Sequence, residues 1–593
     1  MEWKDKTLFA RIIERWDELK VPYERLKTAR EYICDFFRPD LGVDYDEAAD
    51  MLMLGENIFE GSGPWVARTA STSFQGNTVS KKLDWFKYGF SDDRIAGIDE
   101  LDEFCQSMRE HNAAVYQRGN FYDIQPQFTL DGWTIGSPLM FVERDLETDH
   151  MMCIPIHWLT YRIFYDRFNC AEGVIIKDDQ WTAKKCFDKF CPGRTMKERL
   201  SKAEQIFSKS LQTAIEQGQL NSKFTIWRAV FRSSDPIWGD FRLPNNTRYF
   251  SKTWYSVYFE ETGLKEKQND PLLSDGYRSK PFVHWDFDKK VWECSSRTPA
   301  FSAIYDDLNL IQIFKNYVDN TQLKVRPSMA ALLGTEKRLD FRPGGLNLLN
   351  SSEWNYLPKP IEQVGEVRFE RENFEMLRES LSRHFHLETF RMFSDLSKQK
   401  GKDFRVLQLM EMAGERITQL LPMIESHESY LAQVDERVRA IELESGQGPY
   451  NKANIENVYD IISHYLGPME ADLVKIQPEF IGTLRQKQQQ FQKLQPILYG
   501  INALSEIGEA MGDPNFVGFM IKRYLVGDAT LQAVNFQQKL VNEEADYNKS
   551  VEAFMQDQAM QRQFAQVVEL MKAGKGMEAG PDNVLGMLTG ATA

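Results

Sequence analysis

The chain contains no G-x-x-x-x-G-K-[ST] phosphate loop, no G-x-G-x-x-G after a strand pattern, no H-E-x-x-H and no G-x-S-x-G. The usual frames for nucleotide hydrolysis, dinucleotide binding, zinc proteolysis and a serine nucleophile are therefore missing. Cysteine is scarce, seven in 593 residues, and only Cys186 and Cys191 fall near each other. An odd, scattered set excludes a disulfide framework and points to synthesis in a reducing cytoplasm, with Cys186 and Cys191 read as ordinary thiols rather than zinc ligands. No apolar run approaches the roughly 20 residues that a bilayer crossing needs, and mean hydropathy is negative, so no membrane partner is expected. The opening Met1-Glu2-Trp3-Lys4-Asp5-Lys6 leads into an amphipathic pattern (Leu8, Ile12, Ile13, Trp16, Leu19) without the apolar core of a secretory signal. Of the eight histidines, His384 and His386 stand near Glu388, but positions two apart on a helix face different ways. No metal site and no cofactor are expected. No carboxylate pair can be positioned for acid-base work, so no catalytic residue is assigned.

What is present is length and apolar content. A chain of 593 residues exceeds one ordinary core, and a 42% hydrophobic share can fill several. With 87 acidic against 72 basic residues the net charge is −15, which argues against a broad basic surface that grips nucleic acid. Helical patterns occupy about 7–37, 64–80 and 99–117. Strand-like segments follow at 139–143, 154–165, 173–177, 224–231 and 248–259, with a helical pattern at 195–217 between them. No regular alternation of strand and crossover helix appears, so the expected class is α+β, mainly helical, with antiparallel strands. From Asp528 to Ala573 there is neither Gly nor Pro, which predicts one long, thinly apolar helix that needs neighbouring copies.

Residues 297–412 carry the most information. Thr298-Pro299 offers an N-cap and a first-turn proline, and Phe301, Ile304, Tyr305, Leu308, Ile311, Phe314 and Val318 then form one apolar stripe. About 25 such residues would span roughly 37 Å. A second helix from about Val367 to Phe390 places Phe374, Leu377, Leu381 and Phe385 on one side, with Arg371/Glu375 and Glu379/Arg383 four apart on the others. Between the two, Arg342-Pro343-Gly344-Gly345 reads as a turn and Trp354-Asn355-Tyr356-Leu357 as a short extended run closed by Pro358 and Pro360. Beyond the second helix, Ser394 to Asp403 is a polar loop with three lysines, and a new helical period starts at Val406.

In this order and texture the chain resembles the head-to-tail connecting, or portal, family of short-tailed bacteriophages. Further landmarks of the resemblance are Trp85-Phe86, Asn120-Phe121-Tyr122 leading to Gly136, Leu139-Met140-Phe141-Val142-Glu143, Arg297-Thr298-Pro299-Ala300 and Phe480-Ile481-Gly482-Thr483-Leu484. The resemblance implies a ring-forming subunit laid out as follows. An α/β wing (1–297) leads to a first stem helix (298–323), a clip (324–366) and a second stem helix (367–393). A tunnel loop (394–403), further wing helices (404–527) and a C-terminal crown or barrel helix with a flexible tail (528–593) complete it. It also implies a homo-dodecamer at one capsid vertex of the virion, through which double-stranded DNA passes without sequence specificity. The implied partners are the terminase large subunit, a tail adaptor, and the major capsid and scaffolding proteins, with synthesis in the host bacterial cytoplasm.

Lysine statistics alone make Lys398, Lys400 and Lys402 a solvated loop, whereas the family plan sets them in the channel as DNA contacts. Arg338 and Arg342 in the clip are read either as subunit ion pairs or as docking points for the terminase or the adaptor. Two other classes stay open: a different virion structural protein, such as an internal core or tail-tube component, and an enzyme with an unfamiliar site, such as a metal-dependent nuclease.

Overall fold

A computed structural model describes residues 6–41, 61–82, 84–95, 98–145, 148–193, 195–242, 253–261, 271–290, 293–325, 329–330, 359–360, 367–390 and 403–482. The chain divides into two compact units, Met1–Arg485 and Gln486–Ala593, and all described residues lie in the first. The helix expected over 528–573 lies outside them.

The N-terminal helical patterns fold as α1 (Leu8–Glu18), α2 (Lys20–Phe36), α3 (Ser62–Thr78), α4 (Asp99–Arg118) and α5 (Phe121–Thr134), with strand β1 (Phe86–Phe90) between α3 and α4. Thr7 caps α1 by accepting the amide of Ala10 at 3.4 Å, and Asp99, Glu100 and Asp102 suit the positive start of α4. α5 was not read from the sequence, since Pro126 lies inside it and polar residues interrupt its apolar pattern. Gly132 on α5 is a close approach: a Cβ there would stand 2.3 Å from the ring of Trp285.

The strands number β2 (Leu139–Arg144), β3 (Met151–Ile156), β4 (Tyr161–Tyr165), β5 (Ala171–Thr182), β6 (Lys223–Arg232), β7 (Trp254–Glu260), β8 (Leu273–Tyr277) and β9 (Phe282–His284). The single strand expected over 154–165 is two, in different sheets, because a turn closed by Thr160 N–H on the His157 carbonyl at 3.0 Å redirects the chain. The helix expected over 195–217 is likewise two, α7 (Met196–Ile206) and α8 (Lys209–Glu216), preceded by α6 (Ala183–Phe190). Ser208 breaks the pair by capping α8 on the amide of Leu211 at 3.4 Å.

One antiparallel sheet runs β4-β5-β6-β7-β8 and another β3-β2-β9, which makes the class α+β. Alternation along β6 shows how the large sheet is covered. Trp227, Ala229 and Phe231 pack with Phe9 and Ile12 of α1, while Ile226 on the other face joins Phe187, Phe207 and Leu211 beside α6–α8. Edge strands are closed by side chains: Asn120 pairs both backbone groups of Cys153 on β3 at 2.6 and 2.8 Å, and the Tyr23 hydroxyl accepts from Ile163 on β4 at 2.8 Å.

The chain continues as α9 (Pro299–Val325), a two-residue ladder of β10 (Met329–Ala330) with β11 (Lys359–Pro360), and α10 (Val367–His384). It then forms α11 (Asp403–Ser445), α12 (Lys452–Leu466), α13 (Pro468–Ala471) and β12 (Ile476–Phe480), which pairs with β1. The helix expected from Val406 to Ile424 is thus part of a 43-residue helix that carries Pro422 internally. Its inner stripe, Leu420, Met423, Ile424, Tyr430, Leu431, Val434 and Val438, enters the main core with Phe74, Trp133 and Trp285.

A buried ion pair ties the two sheets together. Arg228 of β6 donates to Glu143 of β2, lies 3.6 Å from the centre of the Phe141 ring, and shares Glu143 with Lys189 of α6 at 3.4 Å. Burial alone would raise the Glu143 carboxyl, but Arg228 and Lys189 outweigh it and hold it at about 2. Because the folded value lies below the unfolded one, this contribution is complete above the ordinary glutamate range and is lost as pH falls toward 2. Glu143→Gln should lower stability at neutral pH and flatten the loss between about pH 5 and 2. Urea midpoints at successive pH values read this, and an unchanged slope would contradict it.

Candidate functional site

The two long helical patterns singled out by sequence form the antiparallel pair α9/α10. Direction and register follow from three contacts. Ser380 and His384 reach the same Asp306 carboxylate oxygen at 2.7 and 3.1 Å, and further along Phe314 meets Phe374 with ring centres 5.6 Å apart. His384 is therefore half of an interhelical His–Asp contact, while Glu388 lies 3.8 Å from Arg383. No cluster of three potential metal ligands occurs among the described residues.

The root of the hairpin is polar and buried. Thr298 caps α9 by accepting the Phe301 amide at 3.2 Å and gives its own proton to the Thr134 carbonyl at the end of α5, 2.6 Å away. One step back, Ser296 and Ser137 exchange two bonds, each amide donating to the other's hydroxyl at 2.9 Å. Arg30 of α2 bonds the carbonyls of Ile135 and Gly136 at 3.3 and 3.2 Å and the Ser295 hydroxyl as well. Gly136 takes φ +81 with the Ser296 carbonyl where a Cβ would be, and Ser137 takes φ +46, so the crossing needs left-handed backbone at both.

Ser137 also donates to Asp286 at 2.6 Å, and Asp286 lies 3.3 Å from His284 and 3.7 Å from Lys289. Burial pushes the Asp286 carboxyl up, yet His284, Lys289 and Ser137 bring it down to about 2. Burial pulls the Lys289 amine down to about 8, with Asp286 opposing. These groups form a buried ionic cluster next to the root of the hairpin. A nearby cleft of about 200 Å³ is lined by Gln127, Asp131, Gly136, His157 and Tyr161, but Asp131 is paired with Arg38 and offers no free acid.

The expected stripe on α9 is only partly used within the chain. Ile304, Leu308, Ile311, Phe314 and Val318 of that stripe are half-buried, while Phe301 and Tyr305 are 36% and 78% exposed; the fully buried residues of the helix, Ala300, Ala303 and Leu310, lie beside the stripe. The second helix also differs from expectation. It stops at His384, and His386 at φ +52 makes a turn that lets Phe385, Leu387 and Phe390 all enter the core, which residues two apart on one straight helix could not do. Phe385 and Phe390 both meet Trp133, at 6.5 and 6.2 Å between ring centres.

Arg338 and Arg342, and Lys398, Lys400 and Lys402, lie outside the described residues. The ladder β10–β11 nevertheless brings the two ends of the Arg338/Arg342 segment together. The hairpin itself is nearly neutral, with two basic and three acidic residues in α9 and four of each in α10. Cys186 and Cys191 are buried free thiols, pushed by burial to about 12 and about 11. What sequence reading missed is the root: Arg30, Ser137, Ser295 and Ser296 are common residue types far apart in the chain. Its one legible part was the Thr298-Pro299 cap.

The described residues thus form an α+β body that roots a long helical hairpin. The chain belongs to the family described as bacteriophage head to tail connecting protein, which it matches over residues 10–513. This gives it a portal role in the phage particle. No curated protein matches the chain.

Replacing Thr298 by Val keeps the shape but removes the cap and the bond to Thr134. A loss of about 1–3 kcal/mol is expected. Amide exchange should quicken at 300–302 before it does in α5, and unchanged exchange there would contradict the root's role.

Proposed function

We propose that copies of this chain close into a dodecameric ring around an axial channel at one capsid vertex, through which double-stranded DNA enters under a separate terminase and later leaves. The observation that carries this reading is the unfinished burial on α9. Tyr305 is 78% exposed and five residues on the same stripe are half-buried, although the opposite side of the helix is already rooted. A heterologous contact that closes on itself gives every copy the missing neighbour with no copy left over.

On the family plan, residues 324–366 form the clip, with Arg338 and Arg342 facing the terminase large subunit during packaging and the tail adaptor afterwards. Residues 394–403 form the tunnel loop, where Lys398, Lys400 and Lys402 touch passing phosphates without reading sequence. A hairpin wall close to neutral would neither bind nor strongly repel a duplex, so the loop lysines supply the grip. Residues 1–297 and 404–527 serve as the wing toward the major capsid and scaffolding proteins, and 528–593 as the crown.

Changing Lys398, Lys400 and Lys402 together to Gln should leave assembly intact and reduce DNA packaging or retention, more so at raised salt. Packaged DNA per particle is the readout. Packaging equal to that of the unaltered protein would remove the loop assignment, and loss of assembly would show that the lysines serve subunit contacts instead.

A further inference from the structure

The lobe built from α12, α13 and β12 has one face that the other described residues do not cover. Ile462 and Ala471 are buried against Ile95 and Leu101 on its inner side. Gly467, at φ +86, ends α12 and turns the chain so that Met469 and Leu473 stand outward at 86% and 75% exposure, with Tyr465 at 59% and Tyr459 at 40%. The Tyr459 hydroxyl donates to Asp472 at 3.0 Å and holds the two sides of this face together. Neighbouring acids are already paired, Glu456 with Lys452 at 3.4 Å and Glu470 with Arg94 at 2.8 Å. Asp460 and Asp472 are exposed and have no cation partner among the described residues.

We propose that this face docks a cationic, apolar-tipped segment of another protein of the phage particle, one that presents Leu, Ile or Phe flanked by Lys or Arg. The inference rests on the portal reading and names one partner chemistry for it. Met469 and Leu473 would supply the apolar contact, and Asp460 and Asp472 would steer the segment and set its register. A second copy of this chain fits less well. Apposed copies of the face would bring its unpaired carboxylates together, and the half-covered stripe of α9 already offers a separate surface for copy contact.

The test uses the full chain in assembled particles, with benzoylphenylalanine placed at Leu473, irradiated, and the cross-linked peptide sequenced. The expected product joins Leu473 to a Lys/Arg-bearing apolar segment of a different particle protein. Adding Met469→Asp should cut the yield roughly tenfold, the loss expected when one methionine side chain stays wet, without changing incorporation. A cross-link to this same chain, to an acidic or neutral segment, or none above that of the same probe at Leu220 would overturn the inference while leaving the portal reading in place. Absence of the protein from purified particles would overturn both.

Discussion

The hairpin is only as well placed as its root, and the root depends on two serines and a threonine that lend their hydroxyls to backbone. Thr298 joins the start of α9 to the end of α5, and Ser296 with Ser137 joins the approach to α9 to the approach to β2. Arg30 closes the same crossing from α2. These are buried groups, so each bond left unmade would leave a desolvated donor or acceptor, and that penalty makes the geometry discrete rather than graded. A helix of 27 residues magnifies a small tilt at its base into a large displacement at its tip.

The remainder of the body keeps that root rigid. β6, covered on both faces, binds the N-terminal helix to the α6–α8 group, and the Arg228–Glu143 pair couples the large sheet to the strand that begins next to Ser137. α11 lies against that strand: Arg437 donates to the Val142 carbonyl at 3.0 Å, and Trp285 donates to Ser426 at 3.1 Å. Phe390, where the chain departs toward the lysine loop, and Ala300 and Ala303 at the base of α9 are thus attached to one packed frame.

Much of the frame was legible because it obeys local rules. Helix starts marked by Thr7 and Thr298 and strands with β-branched and aromatic runs could be read in place. The misses share a physical cause, since tertiary context overrode local preference. His386 leaves the helix because three apolar side chains within six residues all gain burial, and α5 forms across Pro126 because Phe121, Phe128, Leu130 and Trp133 gain burial in the core. The root could not be foreseen at all, because Arg30, Ser137 and Ser296 carry no pattern until the fold brings them together. The site residues themselves were chosen by position in the family plan, and nothing in their local sequence distinguishes Lys398, Lys400 and Lys402 from a solvated loop.

The central claim is that the partly covered face of α9 is completed by a neighbouring copy. Electron microscopy of the purified full-length chain, with class averages viewed down the particle axis, tests it most directly. Rings of about twelve copies around an open channel are the predicted result. Monomers at all salt and protein concentrations, or closed particles without an axial opening, would contradict the account.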